Sequence, residues 1–314
     1  MAIDKIIIAR PRGFCAGVQR AIMAIEETLK TRHSPVYCFR EIVHNRYVVD
    51  SFRKRGVQFV ENISEIPRGA IVIFSAHGVA PEVRRQAEER ELTIIDATCP
   101  FVNKVHAEVK NYAADGYTIL LIGHRKHDEV IGVSGEAPES IRVIENREEA
   151  ENIEVEDPTR VAVVTQTTLS VSETEHIMEK LKKRFPFLKT PSTSDICYAT
   201  QHRQQAVLEL VGKCDLILVL GAVNSSNTNR LVEVARAANC RAVLVSYLAE
   251  VEKLDLTGIS TVGVTAGAST PEEFVEKTVN YLKAFGTPVI EETAEMDEEM
   301  HFSLPPWIKP PFKR

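Results

Sequence analysis

The chain has 314 residues, 44% hydrophobic and 26% charged, the balance of a soluble globular protein too long for one core. Its net charge of −6 leaves no basic surplus with which to hold nucleic-acid phosphates. No apolar run approaches the roughly 20 residues that span a bilayer, and the opening residues lack a signal-peptide core, so a cytoplasmic chain with reduced cysteines and no membrane partner is expected.

Short continuous Val/Ile/Leu runs predict buried parallel strands at 6–9, 70–74, 92–95, 118–122, 161–164, 216–220, 242–246 and 260–264. Amphipathic stretches between them predict helices at 81–90, 171–184, 200–210, 229–238 and 271–284. This alternation argues for α/β architecture with parallel sheets. Residues 145–157 form an acid-rich connection and a candidate boundary. From Gly286 the chain turns acidic and then proline-rich (Leu304-Pro305-Pro306-Trp307), which predicts an extended strap or partial disorder.

Several strand runs end in small, polar turns, the places where open α/β sheets bind ligands. Cys15 (P-R-G-F-C-A-G), Cys99 (D-A-T-C-P) and Cys197 (D-I-C-Y-A-T) lie in such turns. An isolated cytosolic cysteine is most often a buried thiol. Cys38, Cys214 and Cys240 fit that description, since each adjoins an apolar run or a helix end. The wide separations of the other three match no compact zinc or ferredoxin spacing. Gly13, Gly17 and Pro100 nevertheless let the backbone bend around a bulky ligand, and thiolates without CxxC pairs favour iron–sulfur over structural zinc. Three thiolates leave one coordination position open, which makes chemistry possible.

His44, His77 and His127 occupy three separate loops, joined by Asn-Ser-Ser-Asn at 224–227 and Ala-Gly-Ala-Ser at 266–269. Imidazolium, hydroxyl and amide donors suit the oxygens of a diphosphate. Residues 224–227 precede a helix expected near Thr228, so they could face an anion, with Ser226 or Asn227 as the cap. Glu129, two residues after His127, is placed to handle protons near such an anion, or is a solvated loop acid. Neither a Walker A sequence nor GxGxxG occurs.

Together these segments resemble the 4-hydroxy-3-methylbut-2-enyl diphosphate reductases, which close the non-mevalonate isoprenoid pathway. The stretches that carry the resemblance include P-R-G-F-C-A-G-V (11–18), E-I-V-H-N-R-Y-V-V (41–49), F-S-A-H-G-V (74–79), D-A-T-C-P (96–100), I-G-H-R-K-H-D-E-V (122–130), T-Q-T-T-L-S (165–170), D-I-C-Y-A-T (195–200), N-S-S-N-T-N-R-L (224–231) and G-V-T-A-G-A-S (263–269). They cover nearly the whole chain except the acidic connection and the tail. The resemblance implies a trefoil of three α/β domains, each with a mainly parallel sheet, around a central cavity. The implied domains are 16–98, 99–194 and 195–285, the last completed by 1–15, with 286–314 as a tail.

The same resemblance implies that Cys15, Cys99 and Cys197 hold one 4Fe–4S cluster whose fourth iron takes the substrate's hydroxyl oxygen. His44, His77, His127, Ser225, Ser226, Asn227 and Ser269 would bind the diphosphate. Glu129 would supply protons, with Thr167 orienting the hydroxyl. Two electrons would arrive singly from a ferredoxin- or flavodoxin-like donor, giving isopentenyl and dimethylallyl diphosphates, and a monomer is expected. Asp128 stands where relatives often have proline, a change expected to loosen the loop of the proton donor. Two alternatives use the same residues: an iron–sulfur hydratase or dehydratase acting on a small phosphorylated substrate without net electron transfer, and a cluster-bearing sensor without catalysis.

Overall fold

The computed structural model describes residues 3–32, 35–294, 298 and 300–305. Pro306 and Trp307 of the proline-rich tail lie outside the described residues. In chain order the strands are β1 Lys5–Ile8, β2 Val36–Phe39, β3 Gln58–Val60, β4 Ile71–Phe74, β5 Thr93–Asp96, β6 Thr118–Ile122, β7 Ile141–Ile144, β8 Val161–Thr165, β9 Leu216–Leu220, β10 Ala242–Val245, β11 Thr261–Ala266 and β12 Val289–Glu292. The helices are α1 Ala16–Thr31, α2 Arg46–Lys54, α3 Pro81–Glu89, α4 Pro100–Ala114, α5 Asp128–Ser134, α6 Arg147–Asn152, α7 Val171–Arg184, α8 Tyr198–Leu210, α9 Ser226–Ala237, α10 Leu248–Val251 and α11 Glu272–Leu282. Every strand pair is parallel.

The chain divides into two compact units. One gathers the N-terminal residues through Ala16, His44–Val48 and Tyr198–His301; the other takes Gly17–Val43, Val49–Cys197 and the described residues from Phe302 onward. The first unit holds a five-stranded sheet in the order β10-β9-β11-β1-β12. Strand alternation sends Ile6, Ile8, Leu216, Leu218 and Val264 to one face, where Val275, Val279 and Leu282 of α11 cover them. Ile7, Ile217 and Val219 point to the other face, under Val207 and Leu210 of α8 and Leu231 and Ala235 of α9. With both faces covered, the strands read as unbroken apolar runs. The strap expected from Gly286 begins instead as a sheet edge, because β12 pairs with β1 in the register Lys5↔Val289.

The second unit holds two sheets, β3-β2-β4-β5 and β7-β6-β8. In the three-stranded sheet, Leu120, Ile122, Val161 and Val163 pack against Ile177 and Leu181 of α7. Ile119, Leu121 and Val164 pack against Val105 and Val109 of α4 and Val130 of α5. In the four-stranded sheet, Phe39, Val72 and Phe74 meet Ala87 of α3. The acid-rich stretch 145–157 is more than a linker. Asn146 accepts from the Glu149 N–H at 2.9 Å and starts α6, whose Ala150 is buried.

Candidate functional site

Parallel strands all point one way, so the loops leaving their carboxyl ends gather on one side of each sheet. His77 follows β4, Cys99 follows β5, His127 follows β6, Thr167 follows β8, Ser225 follows β9 and Ser269 follows β11. Among the described residues, which include all six cysteines, none forms a disulfide.

In the second unit Cys99 is the N-cap position of α4, with Pro100 at the first helical position, and its N–H donates to the Ala76 carbonyl at 3.0 Å. Just upstream, Asp96 accepts from the Thr98 N–H at 3.0 Å and from the Thr98 hydroxyl, and pairs with Arg84. Burial alone would raise the Asp96 pKa, but these partners outweigh it and hold the carboxyl below its usual range. The Cys197 N–H donates to the Thr167 carbonyl at 3.1 Å. Lys104 on α4 reaches Asp195 at 2.6 Å, and Asp195 also accepts from the Thr165 N–H at 2.9 Å. One lysine thus ties the helix that starts at Cys99 to the turn that carries Cys197.

Glu129 is no solvated loop acid: it is 2% exposed, in the first turn of α5. Its carboxylate accepts from the Thr167 N–H at 2.7 Å and from the Thr167 hydroxyl at 2.9 Å. Burial raises its pKa to about 7 with help from the Asp195 charge, against the pull of the two Thr167 hydrogen bonds. That value suits a general acid at neutral pH. His127 caps α5, its Nδ1 accepting from the Glu129 N–H at 3.2 Å. An accepting Nδ1 leaves the neutral ring's proton on Nε2, which can then donate outward. His77 meets His127 edge to face, ring centroids 5.7 Å apart. Asp128 pairs with Arg40, so the residue expected to loosen this loop supplies a tie instead.

In the first unit the Cys15 N–H donates to the Ala268 carbonyl at 3.2 Å. Helix α9 begins at Ser226, and its cap is Ser225, which accepts from the Thr228 N–H at 3.3 Å; neither Ser226 nor Asn227 caps it. Asn227 is buried, with Oδ1 accepting from the Ala268 N–H at 2.9 Å and Nδ2 donating to Thr200 at 3.3 Å. Ser269 donates to the His44 carbonyl at 2.9 Å. In this state both side chains therefore hold the Cys15, α9 and His44 loops together. A Cβ on Gly267 would stand 2.1 Å from the Thr228 hydroxyl oxygen. Gly267→Ala should accordingly cost about 1–3 kcal/mol, read as a lowered denaturant midpoint.

As thiols, Cys15, Cys99 and Cys197 are each the kind of soft donor that an iron–sulfur cluster takes. Cys15, Cys99 and Cys197 are half-buried in turns whose backbone is pinned, whereas Cys38 and Cys240 are buried and the half-buried Cys214 packs against the same apolar cluster as Cys240. Burial pushes the Cys38 thiol far up, the Cys214 thiol to about 12, and the Cys240 thiol upward, so these three stay protonated and are poor ligands. Asp195, Lys104 and Arg84 were not singled out by sequence. Asp195 lies inside the D-I-C stretch, but nothing in Lys104 or Arg84 distinguishes them from other helix-surface cations.

Parallel sheets with thiol, imidazole and acid side chains at their strand ends define an α/β protein with a redox-capable candidate site. A family model described as LytB protein matches residues 6–283, and the chain belongs to this family. The 4-hydroxy-3-methylbut-2-enyl diphosphate reductase of Mycolicibacterium gilvum is 48% identical over 98% of this chain and 92% of its own. That of Streptomyces coelicolor is 49% identical over 96% and 89%. The structure of the E-1-hydroxy-2-methyl-but-2-enyl-4-diphosphate reductase from Plasmodium falciparum matches with TM-score 0.91 and 38% identity, covering 98% of this chain and 96% of that one. A structure of (E)-4-hydroxy-3-methyl-but-2-enyl diphosphate reductase matches with TM-score 0.64 and 32% identity over 90% of this chain and 100% of its own. The α/β class with three parallel sheets expected from sequence is the observed fold.

Proposed function

We propose that this chain reduces 4-hydroxy-3-methylbut-2-enyl diphosphate to isopentenyl and dimethylallyl diphosphates. The observation that carries the chemistry is Glu129, a buried carboxyl held by the N–H and hydroxyl of Thr167, whose pKa burial raises to about 7. Replacing the allylic hydroxyl by hydrogen consumes two electrons and two protons and releases water. Cys15, Cys99 and Cys197 would hold a 4Fe–4S cluster with one open iron. When bound, such a cluster supplies single electrons and a Lewis acid. The electrons would come from a ferredoxin- or flavodoxin-like protein. The three implied domains, 16–98, 99–194 and 195–285 with 1–15, remain part of this proposal.

Glu129 donates a proton to the departing hydroxyl, and Thr167 orients both. His77 and His127 offer N–H donors to the diphosphate, His127 through Nε2. His44, Ser225, Ser226, Asn227 and Ser269 complete that set. For Asn227 and Ser269 this means exchanging a loop contact for the anion. Diphosphate binding at a distance from the reacting carbon then holds the small allylic end in place.

A protonated Glu129 is the active form, so kcat should fall as pH rises through about 7. Thr167→Val removes a hydrogen bond to the ionised form, so the falling limb should move to higher pH. A limb that stays in place would separate it from Glu129. Iron and sulfide analysis after anaerobic purification tests the cofactor: both should be present in cluster stoichiometry, and zinc without sulfide would contradict it.

A further inference from the structure

We infer that Glu298, Phe302 and Ser303 of the C-terminal segment are positioning residues for the turns of Cys15 and Cys99, acting through two arginines and an aromatic contact. The inference rests on the reading of these cysteines as cluster ligands.

In the first unit Arg203 is fully buried. Its Nε and Nη2 donate to the Gly13 carbonyl at 3.1 and 2.8 Å, and its Nη1 donates to the Ala199 carbonyl at 2.9 Å. Gly13 stands two residues before Cys15 at φ +65°, where an added Cβ would press on the Thr270 carbonyl at 3.0 Å. The turn is therefore tightly specified and the arginine grips its backbone. A guanidinium with no exposure needs a counter-charge. Glu298 supplies it as a two-pronged partner, Oε1 accepting at 2.9 Å and Oε2 at 3.2 Å.

In the second unit Arg20 plays the corresponding part at Cys99. Its Nη1 donates to the Thr98 carbonyl at 2.8 Å, its Nη2 to the Asp96 carbonyl at 3.5 Å, and its Nε to the Ser303 carbonyl at 3.0 Å. Phe302 meets Phe101 of α4 with ring centroids 6.1 Å apart. In both units a residue of the same short segment fixes an arginine that holds the backbone beside a ligand cysteine. The two arginines act on these turns through backbone carbonyls, and Arg20 also lies within reach of the Cys99 charge. Their effect is to keep a thiol turn in its bound shape before the cluster arrives, lowering the cost of assembling the site.

The test compares alkylation rates of individual cysteines in the full-length metal-free chain, read by mass spectrometry. Glu298→Gln should speed labelling of Cys15, and Phe302→Ala that of Cys99, each by about tenfold if one charged or aromatic contact holds the turn. Cys38, fully buried in β2, serves as the internal standard and should not change. In the cluster-loaded chain both variants should lose iron to a chelator faster than the parent, and Glu298→Asp should recover part of the difference. Unchanged labelling, labelling that rises equally at Cys38, or parental chelator kinetics would each overturn the inference. A parent chain that takes up no iron and sulfide would strike the ligand reading alone, because the labelling comparison uses metal-free protein.

Discussion

Glu129→Gln should cut turnover severely while leaving iron content and diphosphate affinity at the parental level. The substitution keeps the shape of a side chain that is 2% exposed and removes its only transferable proton. Glutamine's carbonyl can still accept from the Thr167 N–H or hydroxyl, so the loop after β8 should stay in place. The loss should reach about 10²–10⁴ in kcat, the usual contribution of a positioned general acid. Linkage gives a second reading of the same residue. Its folded-state pKa, about 7, is raised from 4.5, so the stability it contributes is complete below 4.5 and is lost as pH rises through 7. Replacing it by glutamine should flatten that part of the stability profile. A variant with parental kcat would remove Glu129 from the chemistry.

Cys99→Ser should empty the site of iron without unfolding the chain. The Cys99 turn is held by backbone and neighbours: its N–H on the Ala76 carbonyl, Asp96 on Thr98, Arg20 on the Thr98 carbonyl. None of these needs sulfur. Serine keeps the turn but stays protonated at neutral pH and is a hard donor, so a soft cluster loses one of three ligands. Cys38→Ser should do the reverse. Cys38 has no exposure inside β2, and a hydroxyl placed there without a partner costs about 1–3 kcal/mol. Iron analysis and thermal unfolding, measured on both variants, should therefore move in opposite patterns. Equal iron loss in the two would mean that loss reports instability rather than ligation.

The longest apolar runs are the strands that the sequence shows most plainly. Thr118–Ile122 and Leu216–Leu220 read as unbroken apolar runs and have the expected bounds. Four strands escape the same reading: β7 carries exposed Arg142, β3 has three residues, β12 is exposed along its length, and β2, though buried throughout, is Val-Tyr-Cys-Phe rather than a Val/Ile/Leu run. Helix α4 is hidden because its first turn is Pro-Phe-Val-Asn and it borders the Cys99 loop, so its start looks like more loop. Helix α9 begins three residues before its expected start because Ser225, rather than a later residue, takes the cap. The motif residues were legible because glycine, cysteine, histidine and serine cluster in turns after apolar runs. What stayed illegible is the support behind them. The pairing of Lys104 with Asp195 and of Arg203 with Glu298 spans long sequence separations, and no local pattern announces it.

The most direct measurement is anaerobic turnover of 4-hydroxy-3-methylbut-2-enyl diphosphate by the cluster-loaded chain, with and without a strong one-electron reductant. The proposed chemistry requires isopentenyl and dimethylallyl diphosphates to form only when the reductant is present, with two electrons consumed per product. Water elimination at an equal rate without reductant would make the chain a dehydratase. No conversion by fully loaded protein would contradict the reductase assignment outright.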